Sequence, residues 1–393
     1  MSDKKTGAYA SRGVSATKDE VHGAVKDTDK GIFPGAFTRI SPDIAGDSDY
    51  CSIMHADGAG TKSVAAYILY KEINDARAFR GIAVDSVVMN LDDMVCAGAA
   101  ERFIFSNAIN RNAHRVGGDA IKEIVGGYVS FAERMKKYGI EITMCGGETA
   151  DTGDIVQTVL VDSTFFARLR RDRVVNCSNI RPGNVIVGFA SFGKCEWEDA
   201  YNSGIGSNGL TAARHLLLHK SYRTKYPETY SQTIVPDDVY VGKYRVTDPL
   251  PGAALSVGEA ILSPTRTFAP VIKDVLTAHF DKISGIIHNT GGGLTKCKGF
   301  GSGVHYIKDN LFEPPAIFKA IADSGAISTH EIHQVFNMGQ RMEIYTDSDT
   351  AQAVIAAANK YGVEAQVIGR VEASANDANH VTIITGGGET LKY

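Results

Sequence analysis

Asp57-Gly58-Ala59-Gly60-Thr61-Lys62 places a carboxylate, two glycines and a cation within one short stretch. It lies between an apolar run, Tyr50 to Ala56, with the character of a strand, and a helical run, Val64 to Ile73. Glycines at such a junction let backbone N–H groups approach a phosphate, and the following helix offers its positive end. Lys62 would add a mobile cation, and Asp57 is a natural metal ligand. The spacing is not that of G-x-x-x-x-G-K-[ST], so this is not a Walker A loop. A plain turn is the alternative reading of the fragment alone.

More acids follow. Ala78 to Ala97 carries Ile82, Val84, Val87, Val88, Leu91, Met94 and Val95 at helical spacing, interrupted by Asp85, Asp92 and Asp93. At roughly 100° per residue, Asp85 and Asp92 fall about 20° apart and share one face. They could be solvated acids of a surface helix. No Lys or Arg occurs between Arg80 and Arg102, however, and uncompensated acids in apolar sequence want a cation such as Mg²⁺. Strand Glu141 to Cys145 then runs into Gly146-Gly147-Glu148-Thr149-Ala150-Asp151, a second glycine-acid turn presenting amides and a carboxylate.

Toward the C-terminus, Ser207 and Asn208 precede the helical run Leu210 to Leu218, as an N-cap or an anion nest. Thr265 and Arg266 follow a proline, and the Arg266 fork suits a phosphate unless an acid claims it. The turn Thr290 to Gly293, with Gly291 and Gly292, and Asn337, an amide that also suits a turn cap, complete the set.

The elements that must hold these residues exceed one core. At 393 residues two domains are expected. The boundary falls in the Arg-rich segment 168–173 and the Pro-Gly turn after it, giving an N-terminal domain at 1–174 and a C-terminal one at 175–393. Segment 219–255, aromatic and bearing Pro and Gly, reads as an inserted loop or subdomain. Alternating strands and helices give an α+β or α/β class with an open C-terminal sheet. The first thirty or so residues read as a flexible or lid-like arm.

A net charge of -4 argues against nucleic-acid binding, and no apolar run approaches a membrane span. The 41 glycines exceed the roughly 28 of average composition, as tight loops close to ligands require. The six cysteines contain no C-x-x-C pair and read as reduced thiols of a cytoplasmic protein. Lys194 and the pair Lys296 and Lys298 flank Cys195 and Cys297 and could lower their pKa values. His330-Glu331-Ile332-His333 is one residue short of H-E-x-x-H and is not read as a zinc site.

The order of these motifs is D-G-x-G-T-K, D-(x)7-D with Gly98-Ala99 five residues on, G-G-E-T-A, S-N-G, P-T-R, T-G-G-G and E-(x)4-F-N-x-G. It resembles the aminoimidazole ribonucleotide synthetase (phosphoribosylformylglycinamidine cyclo-ligase) family, from an echo at Tyr9, Gly13 and Val14 to Met342. The resemblance implies a homodimer whose N-terminal domains pair through a β-barrel, a mixed C-terminal sheet with helices, and an ATP site near the interface. It implies ATP and Mg²⁺ as cofactors and a ribonucleotide substrate. Phosphorylation of the formyl oxygen of formylglycinamidine ribonucleotide would be followed by attack of an amidine nitrogen.

Carried over residue by residue, it makes Asp57, Asp93 and Glu148 metal ligands, with Asp85 and Asp92 beside them. Lys62, Gly58, Gly60, Thr61, Gly98, Gly146, Gly147 and Thr149 would hold the nucleotide, and Lys62, Asp93 and Asp57 would serve catalysis. Ser207, Asn208, Thr265, Arg266, Gly291, Gly292 and Asn337 would meet the substrate. Departures include Glu101 for a proline, Asp92 for an asparagine, Gly206 for a histidine, no Met-Pro-Gly after Glu148, and Lys296 and Lys298 for Asn and Arg. Two alternatives stand: a sister enzyme activating an amide or carbamoyl oxygen, and a catalytically silent nucleotide-binding dimer.

Overall fold

The computed structural model describes residues 7–15 and 19–393. Alternating buried and half-exposed residues along Val159–Arg170 build a strand with one face in the core. With its neighbours it forms a five-stranded sheet of β1 (Ile40–Pro42), β2 (Tyr50–Gly58), β3 (Arg102–Arg111), β4 (Glu141–Asp151) and β5 (Val159–Arg170), in the order β1-β2-β5-β3-β4. Only β3 and β4 run parallel. The helix Gly118–Lys136 connects them, as a parallel pair requires. This helix and the helix Arg80–Cys96 cover one face, over a core in which Phe165 stacks on Phe105 at 5.0 Å.

The opposite face of this sheet is not covered by the described residues. Met54, Phe166 and Ile104 stand in register along it, and Met54 and Ile104 are 71% and 45% exposed.

The second sheet has seven strands: β6 (Val185–Ala190), β7 (Ile283–His288), β8 (Val304–Lys308), β9 (Gln340–Thr346), β10 (Ala365–Ala373), β11 (His380–Ile384) and β12 (Thr390–Lys392). Their order is β12-β11-β8-β10-β6-β9-β7, with only β8 and β11 parallel. Every residue of β7 and β9 is buried, so both faces are covered there. Helices Ala269–His279 and Ser348–Asn359 contribute to the cover on one side, and the short helix Leu210–Leu217 belongs to the core on the other.

Three expectations change. The Gly146–Asp151 segment is not a turn but the continuation of β4, with Cys145 bulged where the register shifts and Gly146 at φ 151°. Segment 219–255 is no loose insertion. Tyr222 and Tyr240 are fully buried, and it reaches the helix Lys62–Ile73 through Tyr67 to Glu228 (2.6 Å) and Tyr226 to Glu72 (2.7 Å).

Residues 7–15, finally, are docked and do not form a free arm. The N–H groups of Ala8 and Tyr9 donate to Glu331 at 3.1 and 2.8 Å, and the buried Arg12 donates to the Asp238 carbonyl. Glu331 is thereby occupied, and His333 bonds to the Thr329 carbonyl, which accounts for the His-Glu-Ile-His stretch without a metal.

Replacing Phe165 with alanine removes the centre of the first core and is expected to cost about 3–5 kcal/mol in urea unfolding.

Candidate active site

The two sheets meet along the helix Arg80–Cys96, and the acids that interrupt its apolar pattern lie in that seam. Lys62, the first residue of its helix, is fully buried. Its ammonium donates to Asp85 Oδ1 at 2.8 Å, to the Gly206 carbonyl at 3.1 Å and to the Ser263 carbonyl at 2.5 Å. Asp85 also accepts from the Thr265 N–H and hydroxyl at 2.7 and 2.6 Å. Asp92 accepts from the Thr267 hydroxyl at 2.5 Å and from the N–H of Phe268, the N-cap of the helix Ala269–His279, at 3.0 Å. Each carboxylate on the helix is thus answered by a segment more than 170 residues away.

Asp93 sits where the seam opens and is 8% exposed. His288 Nδ1 lies 2.6 Å from one of its oxygens and His55 Nε2 3.4 Å from the other. The hydrogen bonds assign the His288 tautomer: Arg341 Nε donates to His288 Nε2 at 2.9 Å, so the proton is on Nδ1 and goes to Asp93. Asn90 Nδ2 donates to the carbonyls of Asp57, Ser86 and Ser163, leaving its Oδ1 to accept from His55 Nδ1.

Burial pushes the Asp93 carboxyl upward, but the hydrogen bond from His288, with the positive charge of Lys296 in the same surroundings, outweighs it and holds its pKa below the usual range. Burial, reinforced by Arg341, lowers His288 to about 4, so it donates as a neutral ring. Asp92 is pushed up to about 7, chiefly by burial.

Several expected roles are corrected by these contacts. Lys62 has its three donors committed inside the seam and does not reach into a cleft as a phosphate arm. Asp85 and Asp92 are wholly buried and tie the two halves together. Arg266 forms a two-pronged pair with Glu198 at 2.9 and 2.5 Å and donates to the Ala190 and Phe192 carbonyls, so its fork is already filled. Asn337 accepts from Ser191 and the Gly339 N–H and donates to the Gly204 and Ile205 carbonyls, pinning a loop. Thr265 is engaged by Asp85, and Ser207 Oγ bonds to its hydroxyl at 2.9 Å.

Gly98 packs its Cα against the Arg173 carbonyl, and Gly147 packs against Asn107.

Glu148 is separated from the other acids. It stands in register with Ala108, Asp162 and Gly58, one residue out of phase with Asp57, so it points from the opposite face of the sheet. Three strand spacings, ~14 Å, lie between its strand and that of Asp57. The expected convergence of Asp57, Asp93 and Glu148 over one metal therefore does not occur within the chain. Among the described residues no three His, Cys, Asp or Glu side chains are grouped to hold a metal ion. Thr149 is exposed on the same strand.

The structure does bring two loops together. Thr61, at the end of the glycine loop, meets Thr211, in the first turn of the helix Leu210–Leu217, with Thr61 Oγ1 2.9 Å from Thr211 Oγ1. Half-buried Gly291 and Gly292 follow directly on the strand that carries His288.

Three residues escaped the sequence reading. His55 was read only as strand, His288 as a strand end, and Arg341 as part of β9. The available signal was Gln340, Arg341 and Glu343 inside an otherwise apolar strand, because buried charges need partners. Glu343 has Lys308 at 2.5 Å. The thiols flanked by lysines are not activated: burial pushes Cys195 up to about 12 and Cys297 to about 11.

Models of two families match successive parts of the chain. "AIR synthase related protein, N-terminal domain" covers residues 35–168, and "AIR synthase related protein, C-terminal domain" covers 181–381. The chain belongs to the AIR synthase related family.

Curated relatives carry one name. The phosphoribosylformylglycinamidine cyclo-ligase of Methanocaldococcus jannaschii is 30% identical over 323 residues, 82% of this chain and 79% of the relative. That of Lachnospira eligens is 28% identical, over 91% and 90%. Among solved structures, T. maritima PurL complexed with FGAR shares the fold with a TM-score of 0.56 at 15% identity, over 96% of this chain and 49% of that one. The chain therefore spans about half the length of PurL. The HypE-HypF complex gives 0.53 at 15% identity, over 96% of this chain and 98% of that chain.

The contacts make two predictions. Arg266→Ala leaves Glu198 without its cation and should cost about 3–5 kcal/mol of stability in denaturant unfolding, as breaking a buried pair does. Folded Asp92 keeps its proton up to about pH 7, whereas the unfolded residue releases it near 4. The folded state thus binds more protons between these values, and wild-type stability falls as pH rises through that window. Asp92→Asn has no such charge to bury. It should gain on the wild type between pH 4 and 7, by up to about 4 kcal/mol, in melts at stepped pH.

Proposed function

We propose that this chain is an ATP-dependent cyclo-ligase of purine biosynthesis that closes formylglycinamidine ribonucleotide to aminoimidazole ribonucleotide. The observation that carries the reading is the match of the chain along both halves to AIR synthase related domains and to cyclo-ligases, and the contact of Thr61 with Thr211 across the seam is consistent with it. A formyl oxygen is a poor leaving group. Transfer of the γ-phosphoryl group of ATP to it makes a good one. An amidine nitrogen then attacks the activated carbon, and inorganic phosphate leaves as the ring closes.

The chain's own groups suit parts of this task. The amides of Gly60 and Thr61 stand just before the helix Lys62–Ile73, where anions are favoured, while the Gly58 N–H is taken by the Asp57 carboxylate at 2.7 Å. Asp93, held ionised at the seam mouth, is placed to take up or orient the proton of the attacking nitrogen. Ser207, Asn208, Gly291 and Gly292 line the ribonucleotide side. Mg²⁺ enters as the counter-ion of the substrate ATP, bridging its phosphate oxygens.

The protein acts as a homodimer paired through the bare face of the five-stranded sheet, where Met54, Phe166 and Ile104 form an apolar row. No helix among the described residues is long and apolar enough to cross a membrane.

Purified protein given formylglycinamidine ribonucleotide and MgATP should release the aminoimidazole product with one ADP per ring. ADP without the ring would favour a sister activity on another amide or carbamoyl oxygen, and absence of nucleotide binding would leave only a scaffold. Asp93→Asn should lower kcat about a hundredfold or more while its melting temperature stays close to wild type.

A further inference from the structure

Lys308 and Glu343 are both fully buried, on β8 and β9. Two strands, β10 and β6, lie between them in the sheet, yet Lys308 Nζ is 2.5 Å from Glu343 Oε1. Burying an ion pair costs about as much as it returns unless further partners complete it, and apolar residues of similar volume often serve a core as well or better. Two of the further partners here sit at the two ends of one turn. Lys308 Nζ donates to the Leu294 carbonyl at 2.6 Å, and Glu343 Oε1 accepts from Asn289 Nδ2 at 2.7 Å. The Tyr345 hydroxyl donates to the other Glu343 oxygen at 2.5 Å and fixes the plane of the carboxylate.

Between Asn289 and Leu294 lies the glycine turn 290–293. Gly292 at φ 100° and Gly293 at φ 50° take conformations that glycine reaches easily but at the largest loss of chain entropy, so such a turn needs support from outside itself. Its backbone bonds are short-range, from the N–H groups of Thr290, Gly293 and Thr295 to the carbonyls of His288, Thr290 and Gly292. Asn289 Oδ1 has no hydrogen-bond partner, so this side chain is oriented through Nδ2 alone, by Glu343 and by the Gln340 carbonyl at 3.2 Å. One buried pair thus grips the turn where the chain enters it and where the chain leaves it.

We propose that Lys308 and Glu343 are positioning residues that clip the turn 290–293 at both ends and hold Gly291 and Gly292 in the shape that receives the ribonucleotide. The effect on substrate rests on the cyclo-ligase reading, whereas the clip itself is tested without substrate.

Lys308→Met, Glu343→Leu and Tyr345→Phe made together remove both charges and the hydroxyl they would strand, so this variant should fold with a stability near that of wild type. Hydrogen exchange read by mass spectrometry over residues 289–295 should quicken about tenfold or more, while β7 and β9 keep their protection. In the ring-closure assay KM for formylglycinamidine ribonucleotide should rise about tenfold or more, with kcat and KM for ATP within about threefold of wild type, the pattern of lost binding. A pair that only filled the core would change the melting temperature and move neither reading.

Should this variant not fold, Lys308→Met combined with Glu343→Gln releases the Leu294 end alone, and exchange over the same segment decides. Exchange over 289–295 within about twofold of wild type in the variant that folds overturns the proposal, as does an unchanged ribonucleotide KM with the turn loosened. A wild type that makes no ring product counts against the cyclo-ligase reading instead, and the exchange result alone then decides the clip.

Discussion

Everything at the seam depends on one requirement: carboxylates buried on the helix Arg80–Cys96 must find partners that the helix and its own sheet do not provide. A buried acid without a donor costs several kcal/mol, more than most single contacts return. Asp85 and Asp92, two turns apart on one face, are answered by the backbone and hydroxyls of Thr265, Thr267 and Phe268. Those residues belong to one short segment that leads into the helix Ala269–His279. The spacing of the acids therefore sets how the two sheets lie against one another. A rotation of either half would strand at least one charge.

This tie explains why the loops of the two halves end up face to face. The glycine loop 57–61 leads into the helix that begins with Lys62, whose ammonium is bound on both sides of the seam, to Asp85 and to the Gly206 and Ser263 carbonyls. The lysine that seemed built to reach a phosphate instead anchors the loop that would receive one. Segment 219–255 adds a second anchor through Glu72 and Glu228 at the far side of the same helix. The glycine loop and the start of the helix Leu210–Leu217 are thereby held at a fixed separation, as the proposed transfer between two bound substrates needs.

Much of the scaffold was legible because its signals are local. The period of Val159–Arg170, the apolar spacing around Leu91, and the glycine junction after β2 each follow from a few neighbouring residues. The common face of Asp85 and Asp92 could also be read, since it is helix geometry. What that face meets could not. The partners lie far along the chain, and a buried hydroxyl, a helix N-terminus and a metal ion satisfy an acid in ways that look alike from one segment. Gly146 and Gly147 misled for a related reason. Glycine permits a turn but does not require one, and pairing with β3 carried the strand straight through.

The same distance in sequence separates these acids from the cations that answer them. The absence of Lys and Arg between residues 80 and 102 leaves these acids without positive charge nearby in sequence. Two side chains supply it from outside the window: Lys62 from the preceding helix, and Arg341 from a strand at the other end of the protein. Arg341 is charge-coupled to Asp92, Asp93, Asp85 and Asp57 together, so a single guanidinium serves the whole group. A fixed organic cation differs from a bound metal in one respect that matters for catalysis. It cannot exchange or carry a water ligand, but it donates along set directions. That directionality is spent on His288, and through it on Asp93, the one acid of the helix left at the opening.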